Sequence, residues 1–305
     1  MITHDPLRAC HVDRNRGDGA VHDPRNALDP VVVVFVAVTI MQGDVVDKLR
    51  ELNDQSVHCV VTSPPYDDLR SYKDNPTFDL NGTIKGLYRV LIDGGVVVWV
   101  VGDSVINGSE SGTSFRQALS FMEAGFNLHD TMIYMKNGPA YPSKNRYYSI
   151  FEFMFVFSKG VPRTINLIKD RENRWDGLKW SNKRTRRDRE GTLRESEWNP
   201  SQGGKYGVRF NVWKYAVGHG YSTKDEIAYK HPAIFPEALA EDHIMSWSNE
   251  GDTILDPFFG SGTTLKAALA LNRNAIGIEI NPEYVKIARE RLRLNEQLFS
   301  EGVPA

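Results

Sequence analysis

Thr253-Ile-Leu-Asp-Pro-Phe-Phe-Gly-Ser-Gly-Thr-Thr264 is the stretch whose reading decides the fold. Thr253 to Leu255 reads as a strand that ends at Asp256, Gly260 and Gly262 make a turn, and a helix is expected from Thr263 to Leu271. Glycines let backbone approach a ligand, and a helix start offers free N–H groups and positive potential, which suit a carboxylate. Pro257 and Phe258 make the turn stiffer and more apolar than a pyrophosphate cradle needs. The next strand, Ala275 to Ile280, carries Glu279 near its end, where an acidic side chain can accept protons from two ribose hydroxyls. Taken alone, the string also fits a nicotinamide-type dinucleotide fold or a strand–turn–helix with no ligand.

A second string, Thr62-Ser-Pro-Pro-Tyr66, follows another apolar run, Val57 to Val61. Parallel α/β sheets bind ligands beyond the carboxyl ends of their strands, so both strings belong at one edge. The pair resembles the S-adenosyl-L-methionine-dependent amino-methyltransferases of DNA. The order, clamp before glycine loop, resembles the circularly permuted β group of that family. The serine at the first clamp position resembles the cytosine-N4 enzymes, since adenine enzymes usually carry Asp or Asn there.

The resemblance runs from about Thr39 to Leu294. It implies an α/β, Rossmann-like, seven-stranded and mostly parallel sheet with helices on both faces. One strand, Phe153 to Ser158, is expected to be antiparallel. With strands lettered A to G along the chain, the expected spatial order is A-G-F-B-C-E-D. The resemblance also implies a cofactor pocket made by Asp256, Pro257, Phe258, Gly260, Ser261, Gly262, Thr263 and Glu279. His231-Pro-Ala-Ile-Phe-Pro-Glu-Ala-Leu239 resembles the motif that walls the methionine end, with Phe235 as a contact. Gln42-Gly-Asp44 resembles the adenine-side motif; Asp44 either bonds the adenine amine or caps the helix expected over Asp44 to Leu52.

The clamp has a chemical logic. An exocyclic base amine is a poor nucleophile because its lone pair is delocalised into the ring. Acceptors set around its nitrogen take its hydrogens and turn the lone pair toward an incoming methyl group. Ser63 Oγ and the Pro64 carbonyl are such acceptors, Pro64 and Pro65 preorganise them, and Tyr66 offers a ring on which an extruded base stacks. Carbon-5 methylation of cytosine needs a cysteine nucleophile, typically in a Pro-Cys turn. The chain has no Pro-Cys, and Cys59 sits inside a strand.

Composition narrows the partners. The 305 residues carry a formal charge of −2, yet Gly160 to Lys230 holds 16 basic and 9 acidic residues. Lys179, Lys183, Arg184, Arg186, Arg187 and Arg189 form the densest run in a segment that also holds Trp175, Trp180, Trp198 and Trp213, and are the candidate contacts to double-stranded DNA. The alternative is a solvated charged loop. Two cysteines, Cys10 and Cys59, make no disulfide framework and have no metal-ligand spacing, so no metal is expected and a reducing, cytoplasmic setting fits. The apolar run Val31 to Met41 is too short to span a membrane and reads as the first strand.

The expected division is a tail at 1–29, a catalytic half at 30–159, a target-recognition insertion at 160–230, a cofactor half at 231–296 and a tail at 297–305. Further expectations are a helix from Ile84 to Leu91 stopped by Asp93-Gly-Gly95, a strand from Val96 to Val101, and one helix from Pro232 to Trp247. The function expected is N4-cytosine methylation of a short duplex site. N6-adenine methylation is the nearest alternative. An RNA or protein-glutamine methyltransferase and a non-catalytic DNA-binding module are more distant. A cognate restriction endonuclease and a homodimer are left open as partners.

Overall fold

The structure is a computed structural model and describes residues 36–65, 78–138, 144–173, 183–197, 204–234 and 236–293. The expected tails, Tyr66, Lys179 and Phe235 lie outside the described residues. Among the described residues, fourteen strands and six α-helices follow one another. The first half holds β1 (Val38–Gln42), α1 (Val45–Glu51), β2 (Val57–Thr62), α2 (Leu80–Val90), β3 (Leu91–Val101), β4 (Val105–Ile106), β5 (Ser109–Glu110), α3 (Thr113–Glu123), β6 (Asn127–Lys136) and β7 (Phe151–Ser158). There follow β8 (Arg171–Glu172), β9 (Lys183–Arg187), β10 (Leu193–Glu197), β11 (Tyr206–Gly207) and β12 (Val212–Tyr215). A 3₁₀ turn (Glu226–Lys230) leads to α4 (Glu237–Trp247), β13 (Thr253–Asp256), α5 (Thr263–Ala270), β14 (Asn274–Glu279) and α6 (Pro282–Arg291).

The main sheet has eight strands in the order β1-β14-β13-β2-β3-β7-β6-β12. Its first seven positions are the expected A-G-F-B-C-E-D order. β7 runs antiparallel to both β3 and β6, and every other pair in the sheet is parallel. Central strands that are covered on both faces read as unbroken apolar runs, which is why Val57 to Val61 and Val96 to Val101 stand out in the sequence. On one face Leu49, Ile84, Leu87, Trp99, Phe121, Phe155 and Phe157 form a continuous core. Within it Phe121 stacks on Phe157 at 4.3 Å, and the one polar side-chain atom of Trp99, Nε1, donates to Gln117 Oε1 at 2.8 Å.

Three expectations need correction. The sheet has eight strands, not seven. β12 pairs in parallel with β6 at the edge, and only Trp213 of its four residues is buried, so no apolar run marks it. The Asp93-Gly-Gly95 stop is absent: α2 ends at Val90 and β3 begins at Leu91, passing through those residues. Gly94 has φ +79°, and a Cβ there would sit 2.9 Å from the Arg163 nitrogen and the Val161 oxygen. The glycine therefore serves close backbone approach inside a strand rather than a turn. Finally, α4 begins at Glu237, not Pro232. Pro236 is its extended N-cap (φ −62°, ψ 137°). A proline disfavours helical geometry in the residue before it, so it starts a helix more readily than it continues one.

Leu167–Asn211 forms a compact unit of its own, and residues 1–166 with 212–305 form the other. The smaller unit holds the antiparallel β9–β10 and β8–β11 pairs. Asp188 Oδ1 closes the β9–β10 turn by accepting from the Glu190 and Thr192 N–H groups. Arg209 pairs with Asp170, and the Arg171 guanidinium lies 4.7 Å from the Phe210 ring centroid. Among the described residues no helix is long and apolar enough to cross a membrane.

Candidate active site

The two strings meet through the central strands. β13 pairs with β2 by Ile254 opposite Cys59 and Leu255 opposite Val60, so Asp256 and Thr62 leave the sheet side by side. Thr62 Oγ1 donates to Asp256 Oδ1 at 2.6 Å, and the Phe258 N–H donates to the same oxygen at 3.0 Å. Thr264 Oγ1, on α5, donates to the Val61 carbonyl at 3.1 Å. The clamp strand and the glycine loop are thus fastened to each other immediately before Ser63. Ser63 and Pro65 are half-buried and Pro64 is buried.

The sequence places Asp256 among the cofactor contacts. In the structure it is buried, 1% exposed, and its Oδ1 accepts from Thr62 and from its own loop. Burial pushes its carboxyl up to about 6, against the pull of the hydrogen bonds from Thr62, Phe258 and Thr264.

The glycine loop is held from several sides. The Gly262 N–H closes a turn on the Phe259 carbonyl at 2.7 Å. The Gly260 N–H donates to Glu279 Oε2 at 3.0 Å, and the Asn281 N–H to Glu279 Oε1 at 2.9 Å. Gly260 sits at φ +50°, where a Cβ would come within 2.8 Å of His231 Nε2. The His231 ring itself leans edge-on against Tyr284 at 4.2 Å. Pro257 is buried, and Phe258 is half-buried between the edges of Phe78 and Trp99, at 5.2 and 6.1 Å. Ser261 and Thr263 are each 3% exposed, and their hydroxyls accept from Arg291 Nη1 at 3.2 and 3.0 Å. Their side chains therefore face the back of the loop, and what they can offer a ligand is backbone.

Glu279 ends β14 beside the loop and is half-buried. Burial pushes its carboxyl up, Asp256 adds to that, and the N–H groups of Asn281 and Gly260 oppose it. A carboxylate has about four lone-pair sites, so its backbone donors leave it capacity to accept from a ligand. Asp44 belongs to the same end of the sheet: Gln42 pairs with Glu279, and the Gly43 N–H donates to the Glu279 carbonyl at 3.0 Å. Asp44 is the N-cap of α1, accepting from the Val46 and Asp47 N–H groups. Between Glu279, Asp44, Phe258 and the start of α5 the chain presents acceptors, a ring and unladdered N–H groups. That donor and acceptor set fits a ligand with ribose hydroxyls, a flat base and a carboxylate.

A profile of the N6/N4 DNA methylase family matches residues 57–290. The chain belongs to this family of DNA methylases. The orphan methyltransferase M.BamHII of Bacillus amyloliquefaciens is 56% identical over 245 residues, which cover 80% of this chain and 91% of that protein. PvuII DNA methyltransferase, described as cytosine-N4-specific, has the same fold, with a TM-score of 0.60 at 20% identity over 85% of this chain and 87% of that one. A DNA modification methylase of Thermus thermophilus, solved with S-adenosyl-L-methionine, gives a TM-score of 0.54 at 24% identity over 83% and 93% of the two chains. This methylase is accordingly a DNA methyltransferase.

The candidate DNA contacts lie in the smaller unit. Lys183, Arg184 and Arg186 are on β9, whose turn carries Arg189; Arg187 and Arg189 are exposed. Arg187 also donates to the Gly191 carbonyl at 2.8 Å within the hairpin. Sequence reading missed a charged cluster behind the glycine loop, made by Asp225, Glu237, Lys266 and Arg291. Its members are scattered over sixty-six residues without periodicity, so only a search for acidic and basic residues flanking the motif would have raised them.

Proposed function

We propose that this methylase transfers a methyl group to the exocyclic N4 amine of a cytosine flipped out of duplex DNA. The observation that carries the reading is Ser63, the first clamp residue, held at the end of β2 next to the glycine loop by the Thr62–Asp256 bond. Bound S-adenosyl-L-methionine supplies an electrophilic methyl group on a sulfonium. The chain supplies the rest. Glu279 accepts the ribose hydroxyls, and Asp44 accepts from the adenine amine while keeping its cap. Phe258 and Pro257 would hold the adenine end, the backbone of Gly260, Ser261, Gly262 and Thr263 would take the carboxylate end, and Phe235 is the further candidate contact there. Ser63 Oγ and the Pro64 carbonyl accept the amine hydrogens, Pro65 stiffens the turn, and Tyr66 stacks on the base. Alignment of this kind contributes several kcal/mol to a displacement without any covalent intermediate.

A serine hydroxyl is a small neutral acceptor, which serves the cytosine amine without a carboxylate. Adenine N6 is the second reading, because its amine is chemically alike and equally suited to the clamp. Duplex DNA treated with the enzyme and methyl-labelled cofactor, then digested to nucleosides and separated by mass, decides between them. We expect label in N4-methylcytosine; label in N6-methyladenine alone would overturn the base assignment and leave the fold and cofactor standing.

We further propose that residues 160–230 act as the target-recognition insertion between the catalytic half, 30–159, and the cofactor half, 231–296. Its basic hairpin would take phosphates. Replacing Arg184, Arg186 and Arg187 with alanine should then flatten the salt dependence of DNA binding, by about 0.9 in log–log slope for each phosphate no longer neutralised. An unchanged slope would mark the hairpin as merely solvated. We assign no companion endonuclease; the 56% identical relative is itself described as an orphan methyltransferase.

A further inference from the structure

Arg291 stands at the end of α6, outside the clamp and glycine-loop strings, and its side chain is 0% exposed. All of its donors are used. Nε donates to Asp225 Oδ2 at 2.9 Å, and Nη2 to Thr223 Oγ1 at 3.2 Å and to Glu237 Oε1. Nη1 reaches the other way, to the Ser261 carbonyl at 3.0 Å, Ser261 Oγ at 3.2 Å and Thr263 Oγ1 at 3.0 Å. Lys266 completes the cluster, 2.6 Å from Asp225 and 2.9 Å from Glu237, so two cations face two carboxylates. Burial works against ionisation of both carboxyls, but the hydrogen bonds and charges around them win and hold both below their ordinary values. The Lys266 side chain donates to Asp225 and Glu237, whereas the Arg291 side chain also reaches the loop.

The Ser261 carbonyl and the Gly262 N–H belong to one planar trans peptide, so they point in opposite directions. Arg291 holds the carbonyl, and the Phe259 carbonyl holds the N–H. That peptide is therefore fixed from both sides, immediately before the first residue of α5. Its orientation sets the direction in which the N–H groups at the start of α5 face. A guanidinium is suited to this task, since its rigid fork can serve the loop with one nitrogen and the carboxylates with the others.

We propose that Arg291 is a positioning residue for the cofactor: it braces the back of the glycine loop so that the loop's outward N–H groups are preset for the carboxylate of S-adenosyl-L-methionine. This rests on the cofactor reading of the same loop. The carboxylates of Asp225 and Glu237 hold Arg291 in place, while Lys266 bonds those carboxylates and not Arg291.

Calorimetric titration with S-adenosyl-L-methionine, on the full chain and well below its melting temperature, tests this with three variants. In Arg291→Met the bonds to the loop and the charge are gone. Arg291→Lys keeps a charge for the carboxylates but cannot span to the Ser261 carbonyl as well. Lys266→Met perturbs the same cluster without touching the loop. Cofactor affinity should fall at least tenfold in Arg291→Met and about fivefold or more in Arg291→Lys, and stay within twofold of the parent in Lys266→Met, whatever the melting temperatures do. In steady state the Arg291 variants should show a raised KM for the cofactor with kcat little changed. If Arg291→Met does not fold, Arg291→Lys carries the test. Parent-like affinity in Arg291→Lys, or an equal loss in Lys266→Met, would overturn the proposal by reducing Arg291 to a stabilising ion pair. A parent protein that binds no S-adenosyl-L-methionine would instead overturn the cofactor reading beneath it.

Discussion

Ser63→Ala should lower single-turnover methyl transfer by about 10²–10³-fold, the usual loss when one preorganised hydrogen-bonding group is removed from a reacting centre. That corresponds to roughly 3–4 kcal/mol of barrier. The effect belongs in the chemical step because the loop and strand are fastened by other bonds as well. Thr62 bonds Asp256, and Thr264 bonds the Val61 carbonyl. The glycine loop is held by Glu279, the Phe259 carbonyl and Arg291. The variant should therefore fold, bind S-adenosyl-L-methionine as the parent does, and lose little affinity for duplex DNA. Rapid-quench transfer of a labelled methyl group, with cofactor affinity measured in parallel, separates the steps. A variant that transfers at the parental rate would remove Ser63 from the chemistry. One that loses cofactor binding in proportion would make it part of the pocket instead.

The strands are legible because buried strands are written as apolar runs, while their spatial order is implied by the resemblance to the amino-methyltransferases and not by the runs themselves. The failures share a cause. β12 is a four-residue edge strand with one buried side chain, Trp213, and so carries no period. Gly94 and Gly95 look like a stop in sequence, whereas in space Gly94 lets the Val161 to Arg163 backbone lie close along β3. A single helix from Pro232 would have to run through Pro236, whereas an N-cap proline in extended geometry starts one. At the site, the residues expected to meet a ligand come in contiguous strings, Ser63 to Tyr66 and Asp256 to Thr263, and can be read. The residues that hold those strings cannot. Thr62 and Asp256 are 194 positions apart, and Arg291 and Asp225 are 66 apart. Such pairs have no local signature, because the fold alone brings them together.

Asp256 is where that difference matters most for stability. Its carboxyl ordinarily titrates near 3.8 and is pushed up to about 6 by complete burial, in spite of the hydrogen bonds from Thr62, Phe258 and Thr264. The folded protein thus holds this proton more tightly than the unfolded chain. The stabilisation it confers is fully present below about pH 4 and is lost as pH rises through 6, a swing on the order of 3 kcal/mol. Asp256→Asn offers the same Oδ1 to the Thr62 hydroxyl and the Phe258 N–H without an ionisable group. In urea unfolding from pH 4 to pH 8, the asparagine variant should gain on the parent with rising pH, by about 2–3 kcal/mol, most of it between pH 4 and pH 6 and with a plateau above that. Asp256→Ala should be worse than both at every pH, since it leaves at least the Thr62 hydroxyl and the Phe258 N–H without their acceptor, at about 1–3 kcal/mol each. Because Asp256 is only 1% exposed and turned toward Thr62, the asparagine variant should also keep its cofactor affinity within a few-fold. A stability difference between parent and Asp256→Asn that does not change with pH would mean that the carboxyl is not held in the dry environment between β2 and β13. A large loss of cofactor affinity in that variant would make Asp256 a direct contact after all.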